Sequence, residues 1–246
     1  MPKTLILIPS RLSATRLPGK PLLKINGLSI ISHVVKKAQE SKIGETYVAT
    51  EDKEIVEDVE KNGGKAILTS KNHKTGSDRI FECFQKLNLK DVDYIINLQG
   101  DEPNIDIDDL KHLYRLVKKN NPEIGTLASK IKDKSILKNK NIVKIITETQ
   151  LDSQNFPLAL KFQRKIDQSE NQNVSHHIGI YAYKTEILEK IVKLEQSKNE
   201  IKNKLEQLRA TDNDIKINVA LAKFSSIGVD TMEDYLALKK ILEYKS

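Results

Sequence analysis

Through the first half of the chain, short apolar runs of strand length alternate with segments carrying the 3.6-residue period of an amphipathic helix. Residues 4–8, 46–50, 65–68 and 94–98 predict strands, and residues 29–40, 52–61, 77–87 and 107–119 predict helices between and after them. Strands separated by helices do not pair as hairpins, so repeated units of this kind imply a parallel sheet covered on both faces. Ligands of such sheets bind beyond the carboxyl ends of the strands, which directs attention to the loops that follow the apolar runs.

Near residue 124 the pattern turns to consecutive strands, at 125–131, 142–147, 159–162 and 177–183, and predicts a β-rich insertion over 124–183. The alternation resumes with helices at 185–194 and 202–210, a strand at 216–221 and a closing helix at 233–244. The polar stretches 150–154 and 167–173 are too short to act as domain linkers, so one domain over 1–246 is expected.

Composition removes several function classes. A single cysteine, Cys83, excludes an internal disulfide and a cysteine-based metal cluster and fits a reducing compartment. No apolar run approaches the ~20 residues of a membrane helix, and 5–8 is too brief for a signal-peptide core, so a cytoplasmic protein without a membrane partner is expected. A formal charge of +7 raises the question of nucleic acid. The lysines, however, are interspersed with glutamates along helix faces, aromatics are only 5% and tryptophan is absent, so no stacking platform accompanies the charge. Of six arginines, Arg11, Arg16, Arg79, Arg164 and Arg209 fall in motif-like segments, where planar guanidinium forks suit phosphates and carboxylates. An anionic small molecule is the expected partner.

Four segments carry the chemistry. The first strand runs into Pro9-Ser10-Arg11-Leu12-Ser13-Ala14-Thr15-Arg16-Leu17-Pro18-Gly19-Lys20-Pro21-Leu22, a loop with three cations, hydroxyls and a glycine, suited to cradling a polyphosphate. It has neither the dinucleotide fingerprint nor the Walker spacing. The strand at 94–98 delivers Gln99, Gly100 and Asp101 to the same sheet edge, where Asp101 is a natural ligand for a hard cation. Asp106, Asp108 and Asp109 are better placed to cap the helix that follows. Gly228-Val229-Asp230-Thr231 precedes the last helix, and Asp230 is either a second metal ligand or an N-cap with Glu233 as its partner. His73-Lys74-Thr75-Gly76-Ser77-Asp78-Arg79 opens a helix and offers either an anion or base-edge site or an ordinary cap by Thr75 or Ser77 with Arg79 in solvent. His176 and His177 are adjacent on a predicted strand, point to opposite faces and make a poor joint metal site.

Taken in order, these segments resemble the 3-deoxy-manno-octulosonate cytidylyltransferase family, also called CMP-Kdo synthetases. The most specific matches are Thr15 to Leu22, Asn97-Leu98-Gln99-Gly100-Asp101-Glu102-Pro103, His177-Ile178-Gly179-Ile180-Tyr181-Ala182-Tyr183, Leu205-Glu206-Gln207-Leu208-Arg209 and Gly228 to Thr231. The resemblance implies an α/β nucleotide-diphospho-sugar transferase fold, with a mixed, mostly parallel central sheet flanked by helices and a homodimer joined through the β-rich insertion. It implies transfer of CMP from CTP to the acidic sugar Kdo for lipopolysaccharide biosynthesis, with Mg2+ as cofactor and pyrophosphate released. Pro9, Ser10, Arg11, Thr75, Gly76, Ser77 and Gln99 match nucleotide-binding positions, Arg16 and Lys20 the triphosphate ligands, and Asp101 and Asp230 the metal carboxylates. Gln99, Arg79, Arg164, His177, Tyr181, Glu206 and Gln207 match the region that receives the sugar.

The chain departs from the family pattern in three places. Ala14 stands where a serine is usual, Thr75 and Ser77 exchange their hydroxyl types, and Lys165-Ile166-Asp167-Gln168 replaces a proline-containing loop. The rival readings are a cytidylyltransferase for another acidic sugar, such as a sialic acid, and a non-catalytic nucleotide-sugar binder. A mere binder has no chemical need for Lys20, Asp101 and Asp230 together.

Overall fold

The protein is described by a computed structural model over residues 3–13, 16–166, 172–224 and 228–243. Ala14, Thr15, Asp167, Gln168 and Tyr244, which entered the motifs, departures and helix limits above, lie outside the described residues. Two compact units divide the chain: Met1–Leu110 with Ser226–Ser246, and Lys111–Ser225.

In the first unit, strand β1 (Lys3–Ser10) is followed by a short hairpin of β2 (Lys24–Ile25) and β3 (Leu28–Ser29). Helix α1 (Ile30–Ser41), strand β4 (Glu45–Thr50), helix α2 (Lys53–Lys61), strand β5 (Ala66–Leu68), helix α3 (Gly76–Leu87) and strand β6 (Val92–Asn97) come next. Helix α4 (Ile107–Asn120) begins where this unit ends. Strands β6, β1, β4 and β5 lie in that order, all parallel, with Ile8 opposite Val48 and Leu5 opposite Ile95. Leu5 to Ile8 are at most 1% exposed, so β1 is covered on both faces. This is why its sequence is a continuous apolar run rather than an alternating one.

Helix starts follow from local chemistry. The Ser29 hydroxyl accepts from the Ser32 amide at the head of α1, and Thr75 with Asp78 forms a reciprocal capping box at the head of α3. Asp106 Oδ1 accepts from the Asp108 and Asp109 amides as α4 begins, the capping role expected of that acidic cluster. The β2–β3 hairpin went unread in the sequence although Asn26 and Gly27, both at positive φ, form the standard two-residue hairpin signal.

The second unit contains β7 (Ile124–Lys130), β8 (Lys144–Thr147), β9 (Ala159–Gln163) and β10 (Val174–Lys184), then helices α5 (Thr185–Lys193), α6 (Lys198–Asn203) and α7 (Leu208–Thr211), and β11 (Ile217–Ala222). β10 runs antiparallel to β7 and β8, β9 antiparallel to β8, and β11 parallel to β7. The predicted run of consecutive strands is present, and the central sheet is mixed and mostly parallel, as expected: β6, β1, β4 and β5 are parallel throughout and β11 is parallel to β7, while the antiparallel pairings gather around β8, β9 and β10. The expected helix over 202–210 is not continuous. α6 starts earlier, at a Ser197–Glu200 capping box, and ends at Lys204, whose φ of 53° is left-handed. Leu205, Glu206 and Gln207 then form a turn, because burying Leu205 and pairing Arg209 with Glu200 outweighs the helical propensity of the segment.

Helix α8 (Met232–Glu243) closes the chain in the first unit. Among the described residues no helix is long and apolar enough to cross a membrane.

Candidate active site

The loop after β1 is held at three points. The Leu12 amide donates to Asp52 Oδ2 at 2.7 Å, and the Gly19 amide donates to the Leu12 carbonyl at 3.0 Å, which closes the loop on itself. Gly19 has φ 71°, a left-handed conformation that a side chain resists, and it launches a single 3-10 turn, Lys20–Leu22. Leu17 supplies the third point, packing in an apolar cluster with Ile25, Ile30, Val229 and Leu238.

That cluster explains how distant parts of the chain meet. Leu17 follows Arg16 and Val229 precedes Asp230, so burying the two apolar side chains together delivers the two charged neighbours to one place. Arg16 Nη2 lies 2.9 Å from Asp230 Oδ2. The Val229 amide also donates to the Asp101 carbonyl at 2.9 Å, which docks the third segment on the second. The turn at Asp101 itself sits close under β1: a Cβ on Gly100 would lie 2.9 Å from the Pro9 carbonyl oxygen, so only glycine fits there. Lys20 completes the group, its side chain only 11% exposed, with Nζ 2.7 Å from Asp101 Oδ2 and 3.4 Å from Asp230 Oδ1.

The N-cap reading of Asp230 is removed by its neighbours. Thr231 Oγ1 accepts from the Asp234 amide, and the Asp234 carboxylate accepts from the amides of Asp230 and Thr231 and from the Thr231 hydroxyl. The cap of α8 is therefore Thr231 with Asp234, not Asp230 with Glu233. The Asp230 carboxylate is left to the cations.

These residues line a cavity of about 350 Å³, a size that suits a small ligand. Of the residues singled out in the sequence, Pro9, Ser10, Arg11, Arg16, Lys20, Thr75, Gly76, Arg79, Gln99, Asp101 and Asp230 face it. Ser77 is buried and does not line it. The Ser10 hydroxyl is buried without a hydrogen-bond partner among the described residues, an uncompensated cost that a polar ligand atom would remove.

Arg79 is not the solvated arginine that a simple cap would leave. It is 3% exposed, ion-pairs with Glu51 through Nη2, and donates from Nη1 to Thr69 Oγ1 at 2.8 Å and the Ser70 carbonyl at 3.3 Å. His73 and Lys74 also line the cavity, although the sequence reading gave them no individual role. His73 is tied to Glu82, which also accepts from the Ser70 amide and pairs with Lys86. Burial by itself would raise the Glu82 pKa. Hydrogen bonds from Lys86, Ser70 and His73 outweigh it and hold the carboxyl down to about 2.

The remaining predicted site residues, Arg164, His177, Tyr181, Glu206 and Gln207, belong to the second unit. Arg164 donates to the carbonyls of Asn203, Lys204, Lys140 and Asn141. Lys144, fully buried, donates to the carbonyls of Asn139, Ile142 and Arg164. His177 is buried among aromatics, its ring edge-on to Phe162 at 5.2 Å and tilted against Tyr181 at 5.4 Å. Among the described residues the buried Tyr181 hydroxyl has no hydrogen-bond partner, and burial, with Tyr183 and Glu206 nearby, pushes its pKa well up.

The chain has near-full-length likenesses among known proteins. The cytidylyltransferase family matches residues 5–217. The chain is 42% identical to a 3-deoxy-manno-octulosonate cytidylyltransferase of Thermodesulfovibrio yellowstonii, over 97% of this chain and 98% of that protein. It is 41% identical to the protein of the same name from Bartonella tribocorum, again over 97% and 98%. A solved structure of CMP:2-keto-3-deoxy-manno-octonic acid synthetase complexed with CTP is 32% identical, with a TM-score of 0.89 over 99% of this chain and 100% of that one. UDP-glucose pyrophosphorylase complexed with UDP-glucose, 16% identical with a TM-score of 0.73 over 100% of both chains, shares the fold.

Proposed function

The chain belongs to the 3-deoxy-manno-octulosonate cytidylyltransferase family, and from that premise we propose that it couples Kdo to CTP, giving CMP-Kdo and pyrophosphate. The observation that carries this reading is the convergence of Arg16, Lys20, Asp101 and Asp230 at one cavity. Two cations and two carboxylates on a hydroxyl-lined cavity suit a nucleoside triphosphate and its counter-ion.

In the reaction the anomeric 2-hydroxyl oxygen of the sugar forms a bond to the α-phosphorus as the bond from that phosphorus to the bridging oxygen of pyrophosphate breaks. The hydroxyl proton passes to solvent. Little covalent chemistry falls to the protein, which acts through position and charge. Lys20 and Arg16 hold the departing pyrophosphate, and Ser10, with Thr75 and Gly76, holds the nucleoside. Asp101 and Asp230 already share one ammonium between them. Such a pair fits Mg2+, which is commonly held by one or two carboxylates together with substrate phosphates. When bound, the ion supplies charge neutralisation at the α-phosphoryl group. Among the described residues no group of three or more histidine, cysteine, aspartate or glutamate side chains is arranged to hold a metal alone, which fits an ion that arrives with the nucleotide.

We assign the acidic sugar to Arg164, His177, Tyr181, Glu206 and Gln207 of the second unit, and leave Arg79 of the first a supporting part because its guanidinium is engaged with Glu51. The unpartnered buried hydroxyl of Tyr181 supports this assignment, since a sugar hydroxyl would satisfy it. A homodimer through the β-rich segment fits the exposure of Leu160 on β9, and sedimentation tests it. A nucleoside triphosphate substrate and one buried thiol fit a cytoplasmic enzyme.

The test is pyrophosphate release with a panel of triphosphates and acidic sugars. CTP with Kdo and magnesium should be the best combination. A higher rate with another acidic sugar would move the assignment to that sugar, and a higher rate with another triphosphate for every sugar would overturn it.

A further inference from the structure

Strand β10 is irregular where it passes the buried histidine. Its register against β7 shifts between Ile178 and Tyr181, so Gly179 and Ile180 fall out of the ladder. The Ile180 carbonyl is nevertheless satisfied: the fully buried Thr126 hydroxyl, projecting from β7, donates to it at 2.7 Å. The same hydroxyl oxygen lies 3.1 Å from His177 Nε2 and 3.4 Å from the Ile178 carbonyl.

A hydroxyl has one proton to give. Both carbonyls can only accept, and the shorter contact, to Ile180, claims that proton. The Thr126 oxygen is then an acceptor toward His177, whose Nε2 must carry a hydrogen. We propose that Thr126 is a positioning residue that holds His177 as the neutral Nε2–H tautomer, leaving Nδ1 as a hydrogen-bond acceptor for a hydroxyl of the substrate. The edge-on Phe162 ring and the tilted Tyr181 ring fix the plane in which that acceptor lies. Burial, with His176 beside it, lowers the His177 pKa to about 3, so the ring stays neutral in the working range.

This inference rests on the reading that His177 belongs to the sugar site, and it sharpens it. A neutral imidazole whose remaining nitrogen is a bare lone pair reads a hydroxyl donor, while a carboxylate would be repelled by it. His177 thus selects for a polyhydroxylated ligand, and the acid group of the sugar is left to cationic donors.

The test begins without substrate, with long-range proton–nitrogen correlation spectra of the full chain carrying 15N-labelled histidine. His177 should show a protonated Nε2 and an unprotonated Nδ1. In Thr126→Val that preference should be lost and KM for the acidic sugar should rise about tenfold, the scale of one lost hydrogen bond, with KM for CTP unchanged. Thr126→Ser keeps the hydroxyl and should restore both readouts, which separates the hydroxyl from any packing effect of the Val variant. An Nδ1–H tautomer in the unaltered protein, or an unchanged tautomer in Thr126→Val, would overturn the positioning role. A changed tautomer with an unchanged sugar KM would overturn its link to the substrate. The underlying assignment of His177 is tested separately by His177→Ala, which should raise the sugar KM whatever the tautomer proves to be.

Discussion

The Val229 amide donates to the Asp101 carbonyl at 2.9 Å, and through this one backbone bond two segments more than a hundred residues apart share an edge of the cavity. Leu17 reinforces the same junction by packing in one cluster with Val229. The charged groups Arg16, Lys20, Asp101 and Asp230 are thereby set by apolar burial and backbone bonding next to them, not by their own attraction. The Arg16–Asp230 pair is partly exposed, at 58% and 45%, and a pair of that exposure stabilises folding little.

Lys20→Ala and Arg16→Ala should each lower turnover by about a hundredfold to a thousandfold, the effect of removing a preorganised charge-stabilising donor. Steady-state kinetics at saturating CTP measures this. The melting temperature of Arg16→Ala, whose ion pair is exposed, should hardly change. Near-normal turnover in both variants would take the loop out of the reaction.

Leu17→Ala separates delivery from chemistry. Removing a buried leucine from the cluster should cost about 2–4 kcal/mol of stability and lower turnover without touching any charged group. Denaturant unfolding and kinetics on one preparation check both. Full stability with lost activity, or the converse, would contradict the idea that burial of Leu17 holds Arg16 in place.

Breaking the buried Arg79–Glu51 pair should be the most damaging single change to the fold near the cavity. Glu51→Gln leaves a buried guanidinium without its counter-charge, and about 3–5 kcal/mol is the usual scale of that loss. Urea denaturation reads it directly. A change below ~1 kcal/mol would return Arg79 to the set of free, substrate-facing cations.

Acid should expose the Glu82 network. The folded pKa, about 2, lies below the ordinary 4.5, so the network's contribution to stability is complete above about pH 4.5 and is lost as pH falls from there toward about 2. Glu82→Gln should flatten that part of the stability profile while leaving the neutral-to-alkaline part parallel to that of the unaltered protein. Thermal melts across the range measure it, and an unchanged acid slope in the variant would contradict the hydrogen-bonded arrangement at His73 and Ser70.

Much of the fold was legible because its signals are local. The apolar run of β1 reads as a two-sided buried strand, and Thr75, Ser29 and Asp106 mark helix starts by their own side chains. The site was legible in residue type and order, since cations after the first strand and Asp101 after the sixth must both reach the carboxyl edge of a parallel sheet. Where the sequence left a choice open or misled, the deciding contact was distant or competed with a near-equal neighbour. Asp230 and Thr231 are both good caps in isolation, and only Asp234, one turn along, favours the threonine. The segment after Lys204 has helical composition, and the Glu200–Arg209 pair bends it into a turn. The partner of Arg79 was not legible, because nothing near it in the sequence announces that Glu51 lies within reach.

The central claim is that Asp101 and Asp230 act as one metal-holding unit, and magnesium-dependent turnover in Asp101→Asn, Asp230→Asn and the double variant tests it most directly. Asparagine keeps the shape and most of the hydrogen bonding but gives up the charge. Each single change should nearly abolish turnover, the double variant should be little worse than either one, and the melting temperature of Asp230→Asn should stay close to that of the unaltered protein because Thr231 caps the helix. An Asp230→Asn enzyme that remains active and responsive to magnesium, or losses that simply multiply in the double variant, would contradict the account.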